Sequence, residues 1–186
     1  SYVCYGPLLN GVTTLVFSGS PLYPNATRTW QLIRDLKLTH FYTSPSAARA
    51  IAGQLPHGCD IDTPSLRVIG SVGETLDDRT WKYLFENLGR RKCWIVDTYW
   101  QTEMGSIIAT SVPYHTKMRP GRVGRPLFGA VLALLDPGSK VILATTQDES
   151  QDVVNDALLC LASPWPGLAN ACVSNSSDFR EAYIVG

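Results

Sequence analysis

Residues 97 to 103 read Asp97-Thr98-Tyr99-Trp100-Gln101-Thr102-Glu103. An acidic residue, two aromatic rings, a hydroxyl and a second acidic residue fall within one short run. Aromatic faces stack on a nucleobase. A threonine hydroxyl donates to a phosphate oxygen, and a carboxylate holds Mg2+ beside phosphates. The bland alternative is an aromatic core strand ending in a solvated acidic turn. Against it, Thr102 and Glu103 follow two bulky aromatics with no Gly, Pro or Asn to turn the chain away. Polar groups are thereby held close to an apolar wall.

A second run, Gly70-Ser71-Val72-Gly73-Glu74, also follows a predicted strand. Two glycines three apart at a strand end let a flat ligand approach the backbone. Taken alone, an ordinary strand-to-helix turn is the commoner reading of such a run. Neither a G-x-x-x-x-G-K-[ST] nor a G-x-G-x-x-G phosphate loop occurs. No Cys/His pair or G-x-S-x-G elbow supplies a nucleophile. His40, His57 and His115 are scattered and read as structural or surface residues.

The elements that must position these runs follow from periodicity. Thr13 to Phe17, Thr39 to Thr43, Leu66 to Ser71 and Trp94 to Tyr99 read as strands. Ala26 to Leu36 reads as a helix with Trp30, Ile33 and Leu36 or Lys37 on one side. Ser44 caps a helix opened by Pro45, whose missing N–H costs nothing in the first turn. Asp77 or Asp78 caps another, with Trp81, Leu84, Phe85 and Leu88 at i, i+3, i+4 and i+7 and Gly89 at its end. Strands alternating with helices predict parallel pairing and an α/β layer fold. Its ligands are expected beyond the carboxyl ends of the strands.

After about Pro113 the helical periodicity fades. Gly129 to Leu135, Val141 to Ala144 and Ala157 to Leu161 are short apolar runs, split by turn signals such as Asp136-Pro137-Gly138. The fold expected is a parallel-sheet α/β part over 1–113, then a small β-rich, barrel-like part over 114–186. Residues 145–156 are predicted to form an exposed polar loop.

The 186 residues are 45% hydrophobic, enough for one sizeable core. Sixteen basic residues balance sixteen acidic ones, which gives no electrostatic reason to expect nucleic acid or an anionic membrane as partner. No apolar run approaches the roughly 20 residues of a membrane span. Five cysteines without a C-x-x-C pair read as reduced thiols rather than a zinc site or disulfide framework. The start lacks a signal-peptide pattern. Both ends read as cuts through a longer chain.

The 97–103 run resembles the aromatic-x-x-Thr-Glu motif of the adenylate-forming superfamily, in the form typical of AMP-forming acetyl-CoA synthetases. The resemblance extends in register through Tyr5-Gly6-Pro7-Leu8, Gly11-Val12-Thr13-Thr14, Tyr42-Thr43-Ser44-Pro45, Ser65-Leu66-Arg67, Gly70 to Glu74, Arg125 to Gly129 and Trp165-Pro166-Gly167. It implies an acid–thiol ligase. Acetate would attack the α-phosphate of ATP to give acetyl-AMP and pyrophosphate, and coenzyme A would then displace AMP. Small molecules (acetate, ATP with Mg2+, and CoA) are the implied partners, and an intracellular place is implied: cytoplasm first, with nucleus and mitochondrion left open.

The same resemblance implies roles. Gly73, Glu74 and Thr75 line the adenine by backbone and side chain, Tyr99 flanks its ring, Thr102 contacts the α-phosphate and Glu103 helps hold Mg2+. Asp97, Thr98 and Gln101 complete the nucleotide site. Val72 and Trp100 wall the acyl pocket, where relatives acting on longer acids carry Gly in place of Trp100. Departures are Thr75 for Pro, Tyr99 for Trp, Met104 for Thr, Ser106 for a frequent Gly, Asn170 for Arg, and Ser174 to Asp178 for Gly-Asp-x-x-Arg. The family's phosphate loop is expected upstream of Ser1, and its ribose-binding Asp and catalytic Lys beyond Gly186, so the 186 residues alone are expected to be inactive. A non-catalytic module and a ligase for propionate or another short acid stand as alternatives.

Overall fold

The computed structural model describes residues 2–146, 154–169 and 176–184. Most of the expected loop over 145–156 therefore lies outside the described residues, as do Asn170, Cys172 and Ser174. The chain divides into two compact units. One comprises Val3–Tyr99 with Ala109–Arg125, and the other Trp100–Ile108 with Pro126–Gly186 and the first two residues.

The larger unit holds α1 (Tyr2–Leu9), α2 (Arg28–Asp35), β1 (His40–Thr43), α3 (Pro45–Gln54), β2 (Val68–Ser71), α4 (Asp78–Tyr83), β3 (Trp94–Tyr99) and β4 (Ala109–Thr110). β1, β2 and β3 run parallel and adjacent, as the alternation of strands and helices predicts. β4 pairs antiparallel with β3, placing Thr110 opposite Thr98 and Ala109 opposite Tyr99. β5 (Arg125–Pro126) is next in the sheet order, and the division between the units falls within it.

Helix boundaries follow side-chain chemistry. The Ser44 hydroxyl accepts from Ala47 N–H at 3.2 Å and Pro45 takes the first position of α3. Asp77, rather than Asp78, caps α4: its carboxylate accepts from Thr80 N–H at 2.9 Å and from the Thr80 hydroxyl at 2.7 Å. After Tyr83 the helix widens into a π turn over Leu84–Leu88. Gly89 does end it, but in a right-handed conformation; the left-handed residues are Arg90 and Arg91. A Cβ on Gly89 would be a tight fit, meeting Cys93 Cβ at 3.0 Å and the Leu84 carbonyl oxygen at 3.1 Å. Trp30, Ile33, Ile51, Ile69, Leu76, Leu84, Leu88 and Ile95 form the core under the sheet.

Two expectations are corrected. Thr13 to Phe17 is not a strand: it pairs with no ladder among the described residues, and Leu15, Val16 and Phe17 are exposed. Its β-branched and aromatic residues favour extended backbone, but a strand exists only where a neighbour completes its hydrogen bonds. In α2, Trp30 and Ile33 are buried as expected, whereas Leu36 lies past the helix end and is exposed. Thr29 is the third buried residue of that helix. α1 carries no amphipathic signal, and periodicity does not find it.

The smaller unit carries β6 (Leu132–Leu135), β7 (Ile142–Thr145) and β8 (Leu158–Leu161), antiparallel in the order β7-β6-β8. α5 (Ser176–Tyr183) follows. The Asp136-Pro137-Gly138 signal is a turn: the Asp136 carboxylate accepts from Gly138 N–H at 3.0 Å and from Ser139 N–H at 2.7 Å. The three strands form an open sheet with two edges, and the barrel-like closure expected of this part is not formed among the described residues. Closing a barrel takes more strands than these. Among the described residues, no helix is long and apolar enough to cross a membrane.

Candidate functional site

The parallel register puts Tyr42 beside Gly70 and Ser71 beside Asp97, so β1, β2 and β3 end together. The two chemistry-bearing runs thus leave the sheet from neighbouring strands at its carboxyl edge. Asp97 is 8% exposed and Thr98 7%. Burial pushes the Asp97 carboxyl up to about 6, while the backbone N–H of Thr98 pulls the other way. The fully buried Ser71 hydroxyl also favours the charged form, although it completes no hydrogen bond of full geometry.

Thr98 is committed inward. Its hydroxyl donates to the Ser71 carbonyl at 2.7 Å and meets Tyr42 Oη at 2.6 Å. Thr110 Oγ1 donates to the Asp97 carbonyl at 2.8 Å. These bonds tie β1, β2, β3 and β4 together where the strands end, so Thr98 braces the edge on which a ligand would rest.

The two glycines divide their tasks. Gly70 does not serve a ligand: a Cβ there would sit 2.2 Å from the ring of Tyr42, which crosses it. Gly73 has φ of +102° and open space around it, so this is where backbone can be approached closely. Val72 is half-buried, and Gly73, Glu74 and Thr75 are exposed. Val72 N–H donates to the Thr43 carbonyl at 3.1 Å, which fixes the start of the turn.

The Glu74 carboxylate is already engaged. It accepts from the backbone N–H of Ser46 at 3.2 Å, from the Ser46 hydroxyl and from the Arg49 guanidinium. Arg49 also donates to Asp77 at 3.1 Å. The Ser46 hydroxyl first, then Arg49, hold the Glu74 carboxyl below its ordinary value. What the Gly73–Thr75 turn offers a ligand is thus chiefly backbone, with the Glu74 side chain anchoring the turn to the first turn of α3. Ser46 and Arg49, three apart on one helix face, are functional supports that sequence reasoning missed. Their spacing marks a shared face but not the loop that it meets.

Trp100–Ile108 belong to the smaller unit, so the motif changes unit between Tyr99 and Trp100. Trp100 is half-buried and Gln101 and Thr102 are exposed. Thr102–Met104 form one 3-10 turn, closed by Gly105 in the left-handed region. Met104 N–H donates to the Gln101 carbonyl at 3.0 Å, and Gly105 N–H to the Thr102 carbonyl at 3.2 Å. Glu103 is half-buried, and its carboxylate accepts from Tyr183 Oη at 3.1 Å.

Among the described residues, no three His, Cys, Asp or Glu side chains gather to make a protein-only metal site. The Glu103 carboxylate is one hard oxygen donor. Such a donor fits Mg2+ that takes its remaining ligands from water and substrate phosphates.

A family model described as "AMP-binding enzyme" matches residues 1–148. The chain is 43% identical to an acetyl-coenzyme A synthetase of Phycomyces blakesleeanus over 99% of its length, covering 26% of that protein. It is 38% identical to the acetyl-coenzyme A synthetase of Dictyostelium discoideum and 40% to that of Rhodobacter capsulatus, each over 99% of the chain and 27% of the relative. The chain therefore spans about a quarter of the length of the curated relatives it matches. Among solved structures, the anthranilate CoA ligase AuaEII in complex with anthranoyl-AMP superposes with a TM-score of 0.70 at 26% identity, over 92% of this chain and 30% of that one.

Proposed function

The chain belongs to the AMP-binding enzyme family, and we propose that it is the segment of an acetate–CoA ligase that carries nucleotide- and acyl-contacting residues. Identity to acetyl-coenzyme A synthetases along 99% of the chain supports the reading. The observation that carries it is the pairing of Ser71 with Asp97, from which the Val72–Thr75 turn and the Asp97–Tyr99 run leave one carboxyl edge. Sheets of this kind take their ligands there.

The proposed reaction has two steps. An acetate oxygen attacks the α-phosphorus of ATP, the bond to the bridging oxygen of the β-phosphate breaks, and pyrophosphate leaves. The CoA thiolate then attacks the acetyl carbonyl carbon, the carbon–oxygen bond to phosphate breaks, and AMP leaves. No covalent enzyme intermediate is needed, so the protein contributes position and charge.

Backbone of Gly73–Thr75 lies along the adenine and Tyr99 flanks its ring. Asp97, Thr98 and Gln101 complete the nucleotide-binding part, with Thr98 acting as the inward brace. The Thr102 hydroxyl donates to the α-phosphate. Glu103 holds Mg2+, which when bound neutralises charge on the phosphates. Val72 and Trp100 are each proposed as contacts for the acyl group.

The test is exchange of labelled pyrophosphate into ATP by the full-length protein that carries these residues. Exchange that requires both acetate and Mg2+ is the expected result. Exchange that ignores acetate, or its absence with acetate present, overturns the reading.

A further inference from the structure

We infer that Trp165 and Tyr183 are positioning residues for Glu103, the first fixing the backbone of its turn and the second its carboxylate. The inference rests on the reading that Glu103 meets the metal–nucleotide complex.

Glu103 sits in a turn too short to stand alone. A three-residue 3-10 segment has few internal hydrogen bonds, and nucleating so short a helix is unfavourable. Its carbonyls must find partners elsewhere. The stretch Trp165–Ala169 provides them. The indole Nε1–H of Trp165 donates to the Met104 carbonyl at 3.0 Å, and Ala169 N–H donates to the Glu103 carbonyl at 2.7 Å.

Two glycines let the strands of chain touch. A Cβ on Gly105, whose φ is +68°, would lie 2.6 Å from the Gly167 carbonyl oxygen. A Cβ on Gly167 would lie 2.5 Å from the Met104 carbonyl oxygen. Each backbone occupies the space that a side chain on the other would need. The contact is therefore made of main chain and one indole, and has little room to shift.

The second grip comes from α5. Phe179 is 2% exposed and stacks on Tyr183 with ring centroids 4.9 Å apart. The stack orients the phenol, whose hydroxyl donates to Glu103 Oε1 at 3.1 Å. Glu103 is thus held at its carbonyl and at its carboxylate. These two holds narrow the directions in which the carboxylate presents its second oxygen, which is what ligating a metal in a defined geometry needs.

The experiment uses the full-length protein and two variants, Trp165→Phe and Tyr183→Phe. The first keeps an aromatic side chain but loses the indole N–H and some volume, and the second keeps its ring and loses only the hydroxyl. Amide hydrogen exchange at Met104, Gly105 and Ala169 reads the backbone grip without any ligand. Trp165→Phe is expected to speed exchange there about five- to ten-fold, the effect of one lost hydrogen bond. Affinity for the Mn2+–ATP complex, read by electron paramagnetic resonance, and half-saturating Mg2+ in pyrophosphate exchange read the carboxylate. Both variants are expected to weaken these several-fold, with less change in rate at saturating Mg2+.

Wild-type metal dependence in both variants, with an active parent, overturns the inference and leaves Trp165 and Tyr183 as staples of the smaller unit. If Trp165→Phe fails to fold, Tyr183→Phe, at a half-exposed side chain, decides alone. A parent that binds Mn2+–ATP but shows no acetate dependence overturns the acetate reading and leaves the positioning claim to the metal readouts. A parent that binds no metal–nucleotide overturns both.

Discussion

Ser71 and Asp97 stand side by side as register partners at the carboxyl ends of β2 and β3, with Ser71 fully buried and Asp97 8% exposed. A charged group is thereby placed where water cannot fully solvate it, at the edge from which both motifs emerge. Burial raises its protonation to about 6, against the opposing pull of Thr98 N–H. A neutral Asp97 suits the folded protein better than a charged one.

Because the folded value lies above the unfolded one, the contribution of Asp97 is fully present below about pH 4 and is lost as pH rises through about 6. Asp97→Asn removes the ionisation and keeps the acceptor for Thr98 N–H. The stability of wild type relative to this variant should fall between pH 4 and pH 7.5, by on the order of 2 kcal/mol. Urea melts of both proteins at the two pH values measure it. A difference that stays constant would mean that Asp97 is solvated.

Asp77 titrates in the opposite sense. Its cap to Thr80 N–H, helped by the Thr80 hydroxyl, holds its carboxyl down to about 2. That stabilisation is present above the unfolded value near pH 4 and is lost as pH falls toward about 2. Asp77→Ala should cost about 1 kcal/mol at neutral pH by removing the cap. Thermal melts at pH 7 and pH 3 check it, and a larger cost at pH 3 than at pH 7 would contradict the capping account.

Glu103→Gln keeps shape and removes charge. If Glu103 holds the metal, adenylation in the full-length protein should fall by orders of magnitude while the melting temperature stays within a few degrees. A contribution of several kcal/mol to a charged transition state is of that size. Pyrophosphate exchange at saturating Mg2+ measures it, and an unchanged rate would reduce Glu103 to a solvated turn residue.

Where the sequence spoke clearly, it did so through chemistry with a local cause. Ser44-Pro45 and the Asp77 region announce helix starts because caps act within three residues. Trp94–Tyr99 is a strand with the bounds expected of it. Thr13 to Phe17 misled because a strand also needs a neighbour, which composition does not record. Gly70 misled because its need is for the ring of Tyr42, twenty-eight positions earlier. The supports of the candidate site were hidden for the same reason. Arg49 and Ser46 on Glu74, and Trp165 and Tyr183 on the Glu103 turn, are meetings between distant segments that carry no shared local pattern.

Acetate is the acid we propose is activated, and the half-buried Trp100 is the residue proposed to limit its chain length. The most direct measurement is kcat/KM for acetate, propionate, butyrate and hexanoate in the full-length protein and in its Trp100→Gly variant, since specificity is a ratio of those values. Wild type should prefer acetate, because an indole wall leaves no room for a longer tail. The variant should shift preference toward longer acids, by roughly 0.8 kcal/mol for each methylene newly buried, and should lose efficiency with acetate. A variant that keeps the wild-type order with all rates reduced alike would contradict the account and make Trp100 a packing residue.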